Sequence, residues 1–259
     1  MPRVMLGRPL QCKASGMKET ELSKLLTELP EPGREPPVPL APFEPLKLLK
    51  DVAPSVVKIK TTPDSNGEWS VGTGFMVSSG DKAACEIATV AHVTGKNEKI
   101  QITTNNGQTH DAVLVKNDLK NELSVFKIPG LTANSPLCKP LEVSNRELNP
   151  SEIVMGVSSV EDPRWPVPYV GISLGLVSRD NPTYVRRLST MIGEDMLRPM
   201  GAFLMRGDHG DSGGPIVDAA RKVVGVEAAA ANGYSLSELP VFLNNLLADI
   251  KRERESVRR

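Results

Sequence analysis

The sequence of 259 residues predicts an all-β fold of two small antiparallel barrels or sandwiches of about six strands each. The first observation is a series of β-branched-rich runs separated by turn residues, at 55–61, 72–79, 85–93, 99–105, 111–117 and 123–128. The second is a similar series at 152–159, 170–178, 202–207, 214–219 and 222–230. Aromatic residues make up only 4% of the chain, so the predicted core rests on Val, Leu, Ile and Ala.

The first 50 residues are predicted to form an arm before the barrels. Apolar residues at helical spacing predict a short amphipathic helix over 17–29, with Leu22, Leu25, Leu26 and Leu29 on one face. Seven prolines between residues 30 and 45 predict an extended linker, because proline fixes φ and lacks an N–H. The arm either docks on the body, recruits a partner protein or stays free.

The body is predicted to span residues 51–250, with the first barrel at about 51–140 and the second at about 141–235. The apolar pattern of the last segment predicts a C-terminal helix from about residue 236. Residues 251–259 carry 5 basic and 2 acidic residues and are expected to form a basic tail.

The charge balance excludes several classes of partner. Lys and Arg total 31 and Asp and Glu total 31, which argues against nucleic-acid binding driven by bulk charge. No run of 18 apolar residues predicts a membrane-spanning helix, and the N-terminus lacks the apolar stretch of a signal peptide. We therefore expect a cytoplasmic protein that binds neither nucleic acid nor membrane.

Three cysteines are too few for a dense disulfide framework, and no pair has the spacing of zinc ligands. Cys12, Cys85 and Cys138 are predicted to be free thiols, with a single Cys85–Cys138 bridge as the alternative. We expect no metal site.

The motif Gly210-Asp211-Ser212-Gly213-Gly214 suggests a nucleophilic serine. A lone GxSxG also fits the nucleophile elbow of α/β-hydrolases, in which the histidine follows the serine and a helix follows the motif. Here no histidine lies beyond Ser212, and Pro215 leads into a strand-like run. Both facts exclude the esterase interpretation. The Gly210 and Ser212 amides are candidates to bind an oxyanion.

The serine needs a base, and the chain has only three histidines. His92 ends an apolar strand, where a loop would present it, and is the best candidate. His110 lies in a polar hairpin, and His209 is expected at the rim of a cleft. A carboxylate must fix the tautomer of the base. Glu122, at the start of an apolar strand, is the preferred acid, and Asp118 is the alternative.

Residues 52 to 250 resemble the trypsin-like (chymotrypsin-fold) serine peptidases, closest to the bacterial high-temperature-requirement A-like branch. The matching stretches are Gly72-Thr73-Gly74-Phe75, Thr89-Val90-Ala91-His92-Val93, Asp111-Ala112-Val113 leading to Glu122-Leu123-Ser124-Val125, Gly171-Ile172-Ser173 with Gly175-Leu176-Val177-Ser178, and Gly210 to Pro215. The resemblance implies two six-stranded antiparallel β-barrels with the triad between them. It also implies protein or peptide substrates and no cofactor.

The chain departs from this family in three ways. The acid position usually holds Asp, but here it falls on Glu122. We expect no PDZ domain after the body, although the high-temperature-requirement A-like branch usually carries one. Asp211 precedes the serine, as in the trypsin group, where it pairs with a new N-terminus after activation cleavage. No Ile-Val-Gly-Gly-like start is visible, so a local partner for Asp211 is the alternative.

The resemblance also places a specificity pocket. Arg206 falls where these peptidases have the pocket base, Ala228, Ala229 and Ala230 would form one wall, and His209 would lie at the rim. Arg206 either favours an acidic substrate side chain, pairs with Glu227 or turns to solvent.

We therefore expect a serine endopeptidase that works through an acyl-enzyme with the triad Ser212, His92 and Glu122. The alternative is a catalytically silent fold that serves as a peptide-binding or scaffold protein.

Overall fold

The computed structural model describes residues 42–61, 70–80, 84–160, 169–189, 194–231 and 234–257. Both barrels belong to one compact unit, which begins after residue 33. The predicted helix at 17–29 and most of the proline-rich linker lie outside the described residues. Within those residues, no helix has both the length and the apolar composition needed to cross a bilayer.

A short helix not anticipated from the sequence, α1 (Pro45–Val52), precedes the first strand. Pro45 lies in its first turn, where a missing N–H is tolerated because the first N–H groups of a helix have no intrahelical acceptor. Leu48 and Val52 are buried in the core. The last proline of the linker therefore starts a helix instead of extending the linker.

The first barrel has the six predicted strands: β1 (Val56–Thr61), β2 (Val71–Val77), β3 (Glu86–Val90), β4 (Lys99–Thr103), β5 (Thr109–Asp118) and β6 (Leu123–Lys127). They close in the order β1-β2-β3-β6-β5-β4, because β4 pairs back with β1. All neighbouring pairs are antiparallel. Phe75, Ile87 and Phe126 are fully buried in its core.

The second barrel contains β7 (Ile153–Val160), β8 (Tyr169–Val177), β9 (Thr183–Ser189), β10 (Glu194–Leu204), β11 (Pro215–Val217), β12 (Val223–Ala231) and β13 (Tyr234–Glu238). Six of these strands form the ring β13-β12-β11-β7-β8-β10, closed by the pairing of β10 with β13. β9 forms a hairpin with the first part of β10. The predicted fold of two six-stranded antiparallel barrels is confirmed.

The C-terminal helix starts later than predicted. Residues 234–238 form β13, and α3 runs over Pro240–Val257. Pro240 is the first helical residue, a position that does not need its N–H. The helix buries Leu243, Leu246, Leu247 and Ile250. Residues 251–257, expected as a basic tail, continue the helix.

The prediction of free thiols is wrong for two of the three cysteines. Cys85 and Cys138 form a disulfide across 53 residues of sequence, with their Cα atoms 5.8 Å apart. Cys85 directly precedes β3, and its N–H donates to the Leu131 carbonyl at 2.9 Å, in the segment that leads to Cys138. Closure of the barrel creates this proximity, which the spacing of cysteines in the sequence does not encode. Cys12 lies outside the described residues.

The two barrels pack directly against each other. One apolar cluster combines Ile59 and Phe75 of the first barrel with Val157 and Val226 of the second. β1 and β2 contact β7, and β3 contacts β12. The segments after β3 and before β11 therefore meet at the boundary between the barrels.

Candidate active site

His92 lies just after β3, in the single helical turn α2 (Ala91–Thr94). The Ala91 N–H donates to the Glu122 carbonyl at 2.7 Å, which ties this turn to the start of β6. The His92 side chain is 23% exposed, and its Nδ1 lies 3.2 Å from Glu122 Oε2. The structure therefore brings together the histidine and the preferred acid from the sequence.

Glu122 occupies the last position of the turn between β5 and β6. Its φ is 50°, in the left-handed region that only a minority of residues with a side chain adopt. Its side chain is 1% exposed. This turn conformation aims a buried carboxylate at a partly exposed imidazole, which is the geometry needed to fix a His tautomer.

Asp118, the alternative acid, serves another purpose in the same turn. Its carboxylate accepts hydrogen bonds from the backbone N–H of Asn121 at 3.0 Å and from Asn121 Nδ2 at 2.7 Å. Asp118 thus stabilises the turn, and Glu122 supplies the contact with His92.

Ser212 lies in the loop before β11. The Asp208 N–H donates to Asp211 Oδ2 at 2.7 Å, and the Asp211 N–H donates to the Asp208 carbonyl at 3.2 Å. Asp211 therefore has a local partner, the alternative to pairing with a new N-terminus. The Gly214 N–H donates to the Asp211 carbonyl at 2.8 Å, which completes a tight loop around the serine.

The first barrel holds this loop in place. The Thr73 N–H donates to the Ser212 carbonyl at 2.9 Å, and Thr73 Oγ1 donates to the Gly210 carbonyl at 2.7 Å. Gly213 has a φ of 88°, and a Cβ there would lie 2.1 Å from the Thr73 carbonyl oxygen. Only glycine fits this position, which explains the residue that follows the serine.

The candidate oxyanion donors belong to the same loop. The backbone N–H groups of Gly210 and Ser212 donate to no other residue among those the structure describes. Both residues line a cleft of about 620 Å³ between the barrels. The cleft residues are Ser70, Val71, His92 and Val93 from the first barrel, and Gly207, Asp208, His209, Gly210, Ser212, Ala229 and Ala230 from the second.

The residues expected to shape specificity are placed unequally. Ala229, Ala230 and the exposed His209 line the cleft, whereas Ala228 is buried. The Arg206 side chain is 87% exposed, and its Nη2 lies 3.6 Å from Asp208 Oδ2. This corresponds to the solvent-facing alternative for Arg206, in which it neither pairs with Glu227 nor forms a pocket base.

A buried acidic residue, predicted from the sequence only as a possible partner of Arg206, lies directly behind the cleft wall. Glu227 is 5% exposed, and its Oε1 accepts from Ser235 Oγ at 2.8 Å. A Cβ on Gly207 would lie 2.5 Å from the same oxygen. Burial raises the pKa of Glu227 to about 7, and the nearby Asp211 carboxylate adds to this shift. In the sequence, the only sign of this buried carboxylate is that Glu227 lies within the otherwise apolar run of β12.

His110 does not belong to this site, since it pairs with Ile102 between β4 and β5. Within the described ranges, no group of three or more His, Cys, Asp or Glu side chains is arranged to hold a metal ion. The site therefore combines an imidazole, a buried carboxylate, a serine in a glycine-rich loop and two available amides. This set can carry out acyl transfer.

The sequence matches the model of one known protein family. The model of the family "Trypsin-like peptidase domain" matches residues 72–226, more than half of the chain. No curated protein matches the sequence.

The fold is shared with many solved structures. The active form of the Rv3671c protease from M. tuberculosis has a TM-score of 0.64 and 21% identity, covering 84% of this chain and 91% of that chain. The inactive form of the Rv3671c protease has a TM-score of 0.61 and 20% identity, covering 82% of this chain and 99% of that chain. The serine endoprotease from Yersinia pestis has a TM-score of 0.60 and 18% identity, covering 82% of this chain and 68% of that chain.

Proposed function

The chain belongs to the trypsin-like peptidase domain family, and on that basis we propose that it is a serine endopeptidase with a Ser-His-Glu triad. The observation that carries this proposal is the contact of His92 Nδ1 with the buried Glu122 carboxylate at 3.2 Å. His92 also lines the same cleft as Ser212. The further assignment to the high-temperature-requirement A-like branch stays a prediction.

In the proposed reaction, Ser212 Oγ attacks the carbonyl carbon of the scissile peptide bond while His92 Nε2 takes its proton. Glu122 accepts a hydrogen bond from Nδ1–H, which leaves Nε2 free to act as the base. The proton then passes from His92 to the leaving amine, and the acyl-enzyme forms. Water, activated by the same histidine, hydrolyses this ester and restores Ser212.

The Gly210 and Ser212 amides are proposed to stabilise the oxyanion of both tetrahedral intermediates. This role is supported by their position in the cleft and by the lack of another acceptor among the described residues. Donors held in advance by the fold need no reorganisation during the reaction. The hydrogen bonds from Thr73 to the Gly210 and Ser212 carbonyls hold the loop that carries these two donors.

The proposed substrates are proteins or peptides, bound in the open cleft. Ala229 and Ala230 would form one wall of the pocket next to Ser212, and His209 would lie at its rim. The mechanism requires no metal or organic cofactor. The cytoplasmic location stays a prediction, and the Cys85–Cys138 disulfide argues against it, because disulfides persist mainly in oxidising compartments.

A quenched-fluorescence peptide library tests this function. We expect cleavage at internal bonds, and we expect Ser212→Ala to reduce kcat by about 10⁴-fold or more. Ser256→Ala, an exposed serine on α3, is the matched control and should behave like the wild type. Folded wild-type protein that cleaves no library member would favour the alternative, a silent fold that binds peptides.

A further inference from the structure

A buried arginine of the second barrel reaches the proposed triad acid in the first. Arg198 lies on β10 and is 7% exposed. Its Nη2 is 3.6 Å from Glu122 Oε2. The same carboxylate oxygen lies 3.2 Å from His92 Nδ1, so the guanidinium and the imidazole converge on one atom.

The guanidinium is also anchored at two further points. Nη2 donates to Glu238 Oε1 on β13 at 2.6 Å, and Glu238 is fully buried. Nη1 donates to the Lys120 carbonyl at 3.2 Å, in the turn that carries Glu122. Arg198 therefore connects a strand of the second barrel to both the backbone and the acid of this turn.

The electrostatics of this group explain why an arginine is needed. Two carboxylates, Glu122 and Glu238, are buried next to this guanidinium, and a carboxylate buried away from water needs a compensating positive charge. Arginine stays charged in every protein environment, and its rigid fork can serve several acceptors at once. A lysine would supply the charge but not the second set of donors.

We propose that Arg198 is a positioning residue of the active site, which holds the Glu122 carboxylate in place against His92 from the opposite barrel. This role rests on the proposed function, since it acts through the triad. It makes the geometry of the acid depend on β10 and on the contact between the barrels. A triad acid one methylene longer than Asp has one more rotatable bond to restrain, and Arg198 restrains it.

The competing explanation is that Arg198 only neutralises Glu238, its nearer partner. A double-mutant cycle separates the two roles. We would measure kcat per active site for Arg198→Met, Glu122→Gln and the double variant, counting active sites by titration with a fluorophosphonate. This count removes any loss of folded protein from the comparison.

We expect Arg198→Met to lower kcat by about 10- to 100-fold with little change in KM, as is typical when a support of a reactive group is removed. In the Glu122→Gln background, the same change should alter kcat by less than about threefold, because the acid that Arg198 holds is already lost. Arg198→Lys should recover part of the activity.

Two further variants distinguish a loss of positioning from a loss of stability. Arg198→Met with Glu238→Gln also removes the Glu238 carboxylate and should still show the loss of kcat. Arg146→Met is the matched control, because Arg146 is a partly buried arginine that pairs with Glu152 and Asp218 away from the cleft. It should lower stability and leave kcat per active site unchanged.

A wild-type kcat in Arg198→Met, or an equal loss in both backgrounds, would overturn the positioning role and leave the peptidase proposal intact. Wild-type protein without activity would instead overturn the proposed function, and this role with it.

Discussion

Thr73 of the first barrel donates its hydroxyl hydrogen to the carbonyl oxygen of Gly210 in the second barrel, at 2.7 Å. The same hydroxyl accepts a hydrogen bond from the Ser159 N–H at 3.0 Å. Because Thr73 is fully buried, both bonds form away from solvent and cannot be replaced easily by water. The loop around Ser212 is therefore oriented by a side chain of the barrel that supplies His92.

Replacing Thr73 with Val keeps the shape of the side chain and removes its hydroxyl. We expect kcat to fall by about tenfold, because the Gly210 peptide loses the bond that orients it, and stability to fall by about 1–3 kcal/mol. Thr104→Val is the control, since its hydroxyl bonds Asn106 and Gln108 at the β4–β5 turn. Steady-state kinetics check the result, and an unchanged kcat in Thr73→Val would contradict it.

The identity of the triad acid is tested by two conservative changes. Glu122→Gln should lower kcat by about 10³- to 10⁴-fold, because an amide no longer holds the His92 tautomer that leaves Nε2 free. Asp118→Asn should change kcat by only a few-fold, because Asp118 bonds Asn121 in the turn. A larger loss of kcat in Asp118→Asn than in Glu122→Gln would instead assign the role of triad acid to Asp118.

Glu227 should make stability depend on pH. In the unfolded chain the pKa of Glu227 has its ordinary value of 4.5, whereas burial raises it to about 7 in the folded protein. Between these values the folded protein binds more protons, so stability falls as the pH rises through this window and levels off above about pH 7.

Substitution of Glu227 by Gln removes this titration. We expect the unfolding free energy of the variant, relative to the wild type, to increase by about 3 kcal/mol between pH 4.5 and pH 8, measured by urea unfolding. Glu142→Gln, whose carboxylate is 70% exposed beside Lys222, should show no such trend. A difference that does not vary with pH would show that the buried carboxylate is stabilised in a way the described contacts omit.

The last turns of α3 stabilise the first barrel through Arg254. Its Nη1 donates to Oε1 of the fully buried Glu86 at 2.7 Å, and Glu86 also accepts from the Ser79 N–H at 2.6 Å. Arg254→Ala should destabilise the protein by about 3 kcal/mol, because it leaves a buried carboxylate without its cation. Arg252→Ala, on the same helix and 75% exposed, should unfold at the same urea concentration as the wild type. Equal midpoints for both variants would refute this account.

Most strands could be predicted because their apolar runs are bounded by turn residues, and the order of the motifs indicated two barrels. β9 was missed because its run, Thr183–Ser189, contains two arginines and no clear alternation. β13 was missed because Leu236 and Leu239 also fit the apolar face of the helix that follows. The start of that helix depends on Pro240, which fits the first helical position but not the interior.

The candidate site could be predicted where local sequence determines it. His92 and Ser212 stand out because each lies in a distinctive motif, and Glu122 because it starts an apolar strand. Arg198 has no local signal, since its contacts with Glu122 and Glu238 join positions far apart in the chain. The Cys85–Cys138 disulfide could not be predicted with preference either, because its cysteines are 53 residues apart in the chain. Contacts that depend on barrel closure require the structure.

The most direct test of the proposed function is labelling of the folded protein with a fluorophosphonate, followed by mass spectrometry to locate the modified residue. The proposed mechanism predicts one label on Ser212, absent in Ser212→Ala and much slower in His92→Ala, because the hydroxyl reacts only when the imidazole takes its proton. No label on folded wild-type protein, or a label on another serine at the same rate in Ser212→Ala, would contradict it.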